Sequence, residues 1–351
     1  MSLARDSGNY EYVTARVRSR RATLFDDDDY RKLTRMGTGE IARFMEESEY
    51  ERQMDALGTR FSRVNLIERA LYANLAENFE ALLRWSDGQL YDYIARYLRK
   101  FDAWNVKTIL RGIYSDADPE TVGDDLIRAG ELSETQLDRL LAANSIADVV
   151  EQLETTIFGP PLAEALRDYE ESGLLVPLEN AVDRAFYETL VSGLPDEGDR
   201  ATELYVQFLQ AEIDFRNVRN ALRLARSGAD LDPSEYYIDG GRLFDEDELR
   251  QLVGNVDQLV EHVRNSIYGD ELDAALDALA ESENLIQFER ALEAALLEYS
   301  DTLSNRYPLS VCPVLAYVLE KERERDNIRA IARGREAGLS GEEIEEELVI
   351  L

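Results

Sequence analysis

The chain has 351 residues, enough for two or three domains, and its 44% hydrophobic content is sufficient for a buried core. Its 72 acidic residues against 39 basic ones give a formal net charge of -33, which argues against nucleic acid as a ligand. Such an acidic, lysine-poor composition is typical of proteins that work in concentrated salt. There the screening length falls to about 3 Å, so surface carboxylates barely repel each other.

Several classes of site and segment are missing from the sequence. One cysteine, Cys312, and one histidine, His262, exclude an internal disulfide and metal sites built on cysteine or histidine pairs. No apolar run is long enough to span a bilayer, and the chain does not open with the hydrophobic region of a signal peptide. Phosphate-binding loops and nucleophile elbows are absent. We therefore expect a soluble, intracellular protein that is not an enzyme and holds no cofactor or metal.

The first predicted helix is the arginine-rich stretch Tyr10–Arg21, and the acidic run Asp26–Asp29 follows it. The run stands directly before another helical pattern, where carboxylates cap free amides and suit the helix dipole. An EF-hand is excluded by the missing glycine and glutamate, and Tyr30 interrupts an Asp-Asp-x-x-Asp motif. We interpret the run as a helix cap. The alternative is a magnesium-dependent all-α enzyme that uses these aspartates.

The pattern of apolar residues over positions 60–100 predicts two long helices. The first reads RVNLIERALYANLAENFEALLRW and the second LYDYIARYLRKFDAW. Within the first helix, the pentapeptide that contains Glu68 recurs around Glu179 and Glu289, 111 and then 110 residues later. Each occurrence therefore marks an equivalent helix, which we call the glutamate helix.

One decapeptide pattern occurs three times and organises the chain. It reads acidic-x-x-Asn-[Val/Ile]-[Lys/Arg]-x-x-x-Arg, and its copies begin at Asp102, Asp214 and Glu324, 112 and then 110 residues apart. A near-constant period of this size indicates a repeated domain-sized unit. On a helix the asparagines share a packed apolar face, while the basic residues form a stripe on the opposite face. The asparagines are Asn105, Asn217 and Asn327, and the basic pairs are Lys107 with Arg111, Arg219 with Arg223, and Arg329 with Arg333.

Other segments follow the same period. Residues 126–132 parallel residues 237–243, and Ile157-Phe158-Gly159 parallels Ile267-Tyr268-Gly269. Residues 24–33 match residues 243–252, two periods away, so the N-terminal segment resembles the back half of a repeat.

These matches predict an all-α protein made of three similar helical domains of about 110 residues. Complete units are expected at residues 59–170 and 171–280, and residues 281–351 are the front half of a third. Its back half is expected from residues 1–58, which would close the chain into a pseudo-threefold ring. A linear array of three units is the alternative.

The repeated basic and glutamate residues have two possible roles. In the first, Glu68, Glu179 and Glu289 pair within their own repeats with Arg111, Arg223 and Arg333, and each arginine then matters for stability. In the second, some of the basic residues line a shared axial opening and hold an acidic partner. A buried polar cluster need not add stability and is also compatible with a role in specificity.

At these residues the chain resembles a known family. The three copies of the pattern, each preceded by its glutamate helix, make the all-helical chain similar to the C subunits of the archaeal A-type ATP synthases. Their counterparts in the vacuolar-type ATPases are the d subunits. The resemblance covers essentially the whole chain, and the acidic composition resembles that of a haloarchaeal member. The third copy departs from the first, with Glu324 in place of Asp102 and Ala332 in place of Leu110.

The resemblance implies a non-catalytic rotor part. Family members form a funnel of three helical domains on the membrane-embedded proteolipid ring, and the end of the central shaft, made of the D and F subunits, plugs the funnel. Torque from proton or other ion flow then passes through the funnel and drives ATP synthesis. We therefore expect a peripheral protein at the cytoplasmic face of the cell membrane, with the ring and the shaft as partners. We do not expect the protein to bind nucleic acid or to span the bilayer itself.

A generic α-helical repeat adaptor with no ion-motive role is the alternative function. Copurification separates the two, because a rotor coupler should accompany a proteolipid ring and shaft subunits in fixed ratio.

Overall fold

The computed structural model describes residues 8–192, 194, 199–227, 232–281 and 285–350. Within these ranges every regular element is a helix, which confirms the all-α prediction. The first helices are α1 Tyr10–Arg21, α2 Asp27–Leu33, α3 Thr38–Glu46, α4 Glu51–Leu57, α5 Arg63–Trp85, α6 Gly88–Leu98, α7 Lys100–Tyr114, α8 Pro119–Asp124, α9 Glu134–Leu141 and α10 Ile146–Gln152. The others are α11 Gly159–Ser172, α12 Val176–Val191, α13 Arg200–Ser227, α14 Glu246–Leu252, α15 Val256–Arg264, α16 Gly269–Glu281, α17 Leu285–Arg306, α18 Cys312–Ala337 and α19 Gly341–Glu345, with a 3-10 turn at Pro233–Glu235.

The chain divides into two compact units. The terminal unit combines Met1–Ile94 with Tyr268–Leu351, and the middle unit is Ala95–Ile267. The division into three repeats of about 110 residues stays a prediction.

Local signals near the N-terminus act as expected. Helix α1 spans the predicted residues, and the Asp26 side chain caps α2 by accepting a hydrogen bond from the Asp29 amide at 2.9 Å. Asp245, its match two periods later, caps α14 through the Glu248 amide at 2.7 Å. One boundary differs from the prediction, because the second long helix is divided between α6 and α7. Arg99 separates them while keeping helical backbone angles.

Helix α18 is the centre of the terminal unit. It packs against α1, α2, α3, α5, α17 and α19. One apolar core joins Phe25, Tyr30 and Ile41 from the N-terminal helices to Ile328 and Ile331 of α18. Burying these side chains together is the main favourable contribution to the packing of the two chain ends. The predicted pairing of the N-terminal and C-terminal segments requires such a shared core.

In the middle unit, α7 packs against α8, α9, α10 and α12, and α13 packs against α12 and α15. Helices α11 and α12 form a hairpin whose turn contains Gly173 at φ 71°, a left-handed conformation that favours glycine. Helices α16 and α17 form a hairpin in the terminal unit. The matched glycines Gly159 and Gly269 begin the first helix of each hairpin.

Candidate functional site: the three repeated helices

Each repeated asparagine holds one later residue by two backbone hydrogen bonds. The amide nitrogen of the side chain donates to a carbonyl, and its oxygen accepts from the N–H of the same residue, as a second peptide group would. All three asparagines are buried. The pairs are Asn105 with Ile127 (2.7 and 2.8 Å), Asn217 with Ile238 (2.8 and 3.0 Å), and Asn327 with Val349 (2.9 and 3.0 Å). We call these pairs the asparagine brackets; each joins a long helix to a segment 21 or 22 residues later.

The acidic residue three positions earlier binds the same loop in the first two copies. Asp102 accepts hydrogen bonds from the backbone N–H groups of Glu131 and Leu132 at 2.7 and 3.0 Å. Asp214 does the same with the backbone N–H groups of Arg242 and Leu243, each at 2.9 Å.

The glycine before each pair of amides has a steric reason. A Cβ atom at Gly130 would lie 2.1 Å from the Asp102 carboxylate, and one at Gly241 would lie 2.2 Å from the Asp214 carboxylate. Such distances are far below van der Waals contact, so only glycine lets the loop approach the acid this closely. Burial raises the pKa of the Asp102 carboxyl to about 6, although the backbone N–H groups act in the opposite direction.

The third acid, Glu324, binds side chains. It accepts a hydrogen bond from the Tyr50 hydroxyl at 2.8 Å and lies 3.4 Å from the ammonium group of Lys321. Lys321 also forms an ion pair with Glu49 and donates to the Tyr50 hydroxyl at 2.9 Å. We call Glu49, Tyr50, Lys321 and Glu324 the buried charge cluster. Burial raises the pKa of the Glu324 carboxyl to about 7, while the Lys321 ammonium lowers it.

The basic stripe faces the acidic residues of a glutamate helix. Lys107 and Arg111 on α7 pair with Asp183 and Glu179 on α12, each at 2.5 Å. In the terminal unit, Arg329 and Arg333 on α18 both reach Glu68 on α5, at 3.1 and 2.8 Å. Basic residues four apart on one helix therefore meet carboxylates of a neighbouring helix in both units.

The predicted pairing of Glu68 with Arg111 is wrong. Glu68 binds Arg333, and Arg111 binds Glu179, so each observed pair joins two different predicted repeats. Sequence spacing could not distinguish these choices, because the same helix faces pack in either arrangement. Of the remaining predicted residues, Arg219 and Arg223 lie on α13 and Glu289 lies on α17; Arg223 is exposed and the other two are half-buried.

Comparison with known proteins shows that nearly the whole chain matches one family. Residues 13–347 match the family described as ATP synthase (C/AC39) subunit. The chain belongs to this family. A protein named as the C subunit of an A-type ATP synthase, from Haloferax volcanii, is 63% identical over 343 residues, covering 98% of both chains. The protein of the same name from Haloquadratum walsbyi is 61% identical over 97% of this chain and 98% of its own. Its counterpart from Methanosarcina mazei is 33% identical over 98% and 94%.

In this family member the repeated residues join chain segments. The asparagine brackets hold loops, and the basic stripe joins helices; neither arrangement sets a nucleophile beside a base. Within the ranges that the structure describes, no cluster of three or more histidine, cysteine or carboxylate side chains is placed to hold a metal ion. No helix in those ranges is both long enough and apolar enough to cross a membrane.

Sequence reasoning missed two parts of this site. Val349 stands 22 residues after Asn327, as Ile127 stands 22 after Asn105, and this constant apolar spacing could have identified the third bracket. The contact between Lys321 and Tyr50 has no corresponding spacing signal in the sequence. They are 271 residues apart, and only packing brings them together.

Proposed function

We propose that the protein is the non-catalytic central-stalk component of an A-type ATP synthase and couples the membrane proteolipid ring to the central shaft. The observation that carries the proposal is the match over nearly the whole chain to relatives named as A-type ATP synthase C subunits, 63% identical in one case. On this proposal the protein lies at the cytoplasmic face of the membrane, and the D and F subunits of the shaft and the ring are its partners. The funnel of three repeats belongs to the same proposal.

The local structure supports a mechanical role. A body that transmits torque must resist deformation, and close-packed helices provide that resistance without chemistry. The three asparagine brackets and the ion pairs between predicted repeats add connections at equivalent places. Breaking a bracket would leave a buried N–H and a buried carbonyl without partners, at a total cost of about 2–3 kcal/mol.

Copurification tests the proposal. The tagged protein is purified from membranes of a haloarchaeal host in multimolar KCl, and mass spectrometry quantifies the recovered proteins. We expect a small proteolipid and the D and F subunits of the shaft in constant ratio to the tagged chain. An untagged strain is the control. Recovery of neither partner from membranes that retain an intact synthase would contradict the proposal and favour a generic adaptor.

A functional assay tests whether the protein couples ion flow to ATP synthesis. Inverted membrane vesicles depleted of this protein should lose ion-driven ATP synthesis, and addition of the purified protein should restore it. Unchanged ATP synthesis in fully depleted vesicles would contradict a coupling role.

A further inference from the structure

The buried charge cluster holds two carboxylates and one cation. The side chain of Glu49 is 9% exposed, and those of Lys321 and Glu324 are each 1% exposed. With both carboxylates ionised, the ammonium balances one of them, and the charge of the other remains away from water. A buried charge without a counterion is unfavourable, and a proton on either carboxyl group removes it. The composition of the cluster therefore favours the uptake of a proton.

Glu324 is the more weakly paired of the two acids. Lys321 forms an ion pair with Glu49 and lies 3.4 Å from Glu324. Glu49 also accepts a hydrogen bond from the Thr23 hydroxyl at 3.1 Å, and Glu324 accepts one from the Tyr50 hydroxyl at 2.8 Å. Burial raises the pKa of the Glu324 carboxyl to about 7, in agreement with its longer contact to the ammonium. Glu324 is therefore a better site for a proton than Glu49.

The neighbouring arginines do not neutralise the cluster, because each has carboxylates of its own. Glu320 of α18 binds Arg21 of α1, which also pairs with Asp301 of α17. Arg323 of α18 pairs with Asp27 of α2 at 2.5 Å. Burial raises the pKa of the Glu320 carboxyl as well, whereas the Arg21 guanidinium lowers it. These pairs use the nearby cations, and the excess carboxylate stays with the cluster.

The other groups around the cluster are neutral or have partners elsewhere. Tyr30 of α2 and Tyr317 of α18 interact with its carboxylates, and burial raises the pKa of both phenols, so they remain uncharged. Arg20 of α1 donates to the Asn78 side chain of α5 at 3.0 Å. Charged residues farther along α18 and α19 also have partners, which are Asp326 for Arg325, Glu68 for Arg329 and Arg333, the Met36 carbonyl for Arg335, and Thr34 for Glu345. Among the described residues, Lys321 therefore remains the cation that faces both carboxylates.

We propose that the buried charge cluster is a proton-binding site whose occupation strengthens the contact between the two ends of the chain. Glu49 and Tyr50 belong to the segment between α3 and α4, whereas Lys321 and Glu324 lie on α18, so the excess charge falls at this contact. The proton comes from water and forms an O–H bond with one oxygen of the Glu324 carboxyl group.

Release of the proton weakens this contact. The segment that holds Glu49 and Tyr50 then separates from α18 more readily, because water stabilises the carboxylates once they are exposed. Salt screens the carboxylates of the surface but acts much less on a buried site. The dependence on protons therefore persists in multimolar KCl.

Urea unfolding of a Glu324→Gln variant in multimolar KCl tests the proposal. Glutamine keeps the size of the side chain and an acceptor for the Tyr50 hydroxyl, but it never ionises. Folding raises the pKa of Glu324 above its ordinary value of 4.5, so its contribution to stability is fully present below about pH 4.5 and is lost as the pH rises through about 7. The unfolding constant of the parent, divided by that of the variant, should therefore rise about a hundredfold between about pH 5 and pH 8.5. Glu46→Gln, at an exposed position of α3, is the matched control and should keep the pH dependence of the parent.

Glu49→Gln tests whether the two carboxylates act as a pair. Removal of this acid leaves Lys321 to balance Glu324, so Glu324 should stay ionised near neutral pH. The pH dependence of unfolding should then be as small as in Glu324→Gln.

Hydrogen exchange measured by mass spectrometry gives a local readout. The protection of the amides of residues 46–54, corrected for their intrinsic exchange rates, should fall about tenfold between about pH 6 and pH 8 in the parent. It should stay constant in Glu324→Gln. Peptides of the middle unit are the internal control and should show no difference between the two proteins.

Three outcomes would overturn the proposal. The same pH dependence in the parent and in Glu324→Gln would show that the site takes up no proton in this range. Loss of the pH dependence in Glu324→Gln but not in Glu49→Gln would show that the charge balance of the pair is not its cause. If neither variant folds, exchange in the parent decides, since protection of residues 46–54 that does not change with pH would contradict the proposal. All of these measurements use the purified chain, so their failure is distinct from a failure of the copurification.

Discussion

The middle and terminal units use the same asparagine in the same way and the neighbouring acid in two different ways. Asn217 and Asn327 each hold one backbone peptide by two hydrogen bonds. Asp214 then binds two backbone amides of the same loop, whereas Glu324 binds Tyr50 and Lys321. The asparagine therefore makes the same contact in both units. The acid accepts hydrogen bonds from whichever donors the surrounding segments supply.

The difference follows from what surrounds each helix. In the middle unit a glycine loop returns to the helix and brings two amides within reach of an aspartate. In the terminal unit the segment between α3 and α4 supplies Glu49 and Tyr50 to α18. A glutamate beside Lys321 joins these side chains into one cluster. The two units thus share the asparagine bracket and differ in the groups that bind the neighbouring acid.

The largest expected effect comes from the buried charge cluster. Lys321→Met removes the cation between Glu49 and Glu324 and leaves two carboxylates in a buried site. We expect the free energy of unfolding to fall by about 3–5 kcal/mol, measured by urea unfolding in multimolar KCl. Lys32→Met, at a side chain 59% exposed, is the control and should leave the free energy of unfolding nearly unchanged. An equally small effect at Lys321 would contradict the importance of the cluster.

Asp102, the acidic residue of the first copy, should make the free energy of unfolding depend on pH. The pKa of Asp102 rises from 3.8 to about 6 on folding, so the folded state holds this proton more tightly. The contribution is fully present below about pH 4 and is lost as the pH rises through about 6, for a total of about 3 kcal/mol. The difference in unfolding free energy between the parent protein and Asp102→Asn should fall by this amount across that window. Urea unfolding at several pH values measures it, and a constant difference would contradict the assignment.

The brackets should be nearly equivalent. Replacing Asn105, Asn217 or Asn327 by alanine leaves a buried N–H and a buried carbonyl without partners, and each change should cost about 2–3 kcal/mol. Urea unfolding of the three variants tests this, with Asn65→Ala at an exposed position of α5 as the control. A much smaller loss for Asn327 alone would show that the third bracket differs from the other two.

The smallest expected effects concern the stripe of basic residues. The Glu179 side chain is 25% exposed and Arg111 is 54% exposed, so their coupling in a double-mutant cycle should stay below about 1 kcal/mol. Glu68 is 5% exposed and binds two arginines, so its coupling with Arg333 should reach about 1.5–3 kcal/mol. Equal coupling energies would contradict this ranking by burial. The exposure of Arg111 also revises the expectation that all three arginines matter strongly.

Particular residues show how far sequence reasoning reaches. The match of residues 126–132 with 237–243 placed Ile127 and Ile238 in register, and the structure gives both the same bracket. Asp26 was recognisable as a cap because capping depends on residues only three apart. The pairing of Glu68 was not recognisable. Each helix presents the same charge pattern to any neighbour, and packing chooses among chemically equal partners.

The helices, the asparagine face, the caps and the family can be predicted from the order of the residues, because each depends on local spacing or on a pattern repeated along the chain. Which glutamate meets which arginine, and the position of Lys321 between Glu49 and Glu324, depend on how distant segments pack. These contacts join residues dozens to hundreds of positions apart. Burial of apolar surface determines which distant segments meet, and hydrogen bonds and charges then form between the groups that this packing brings within reach.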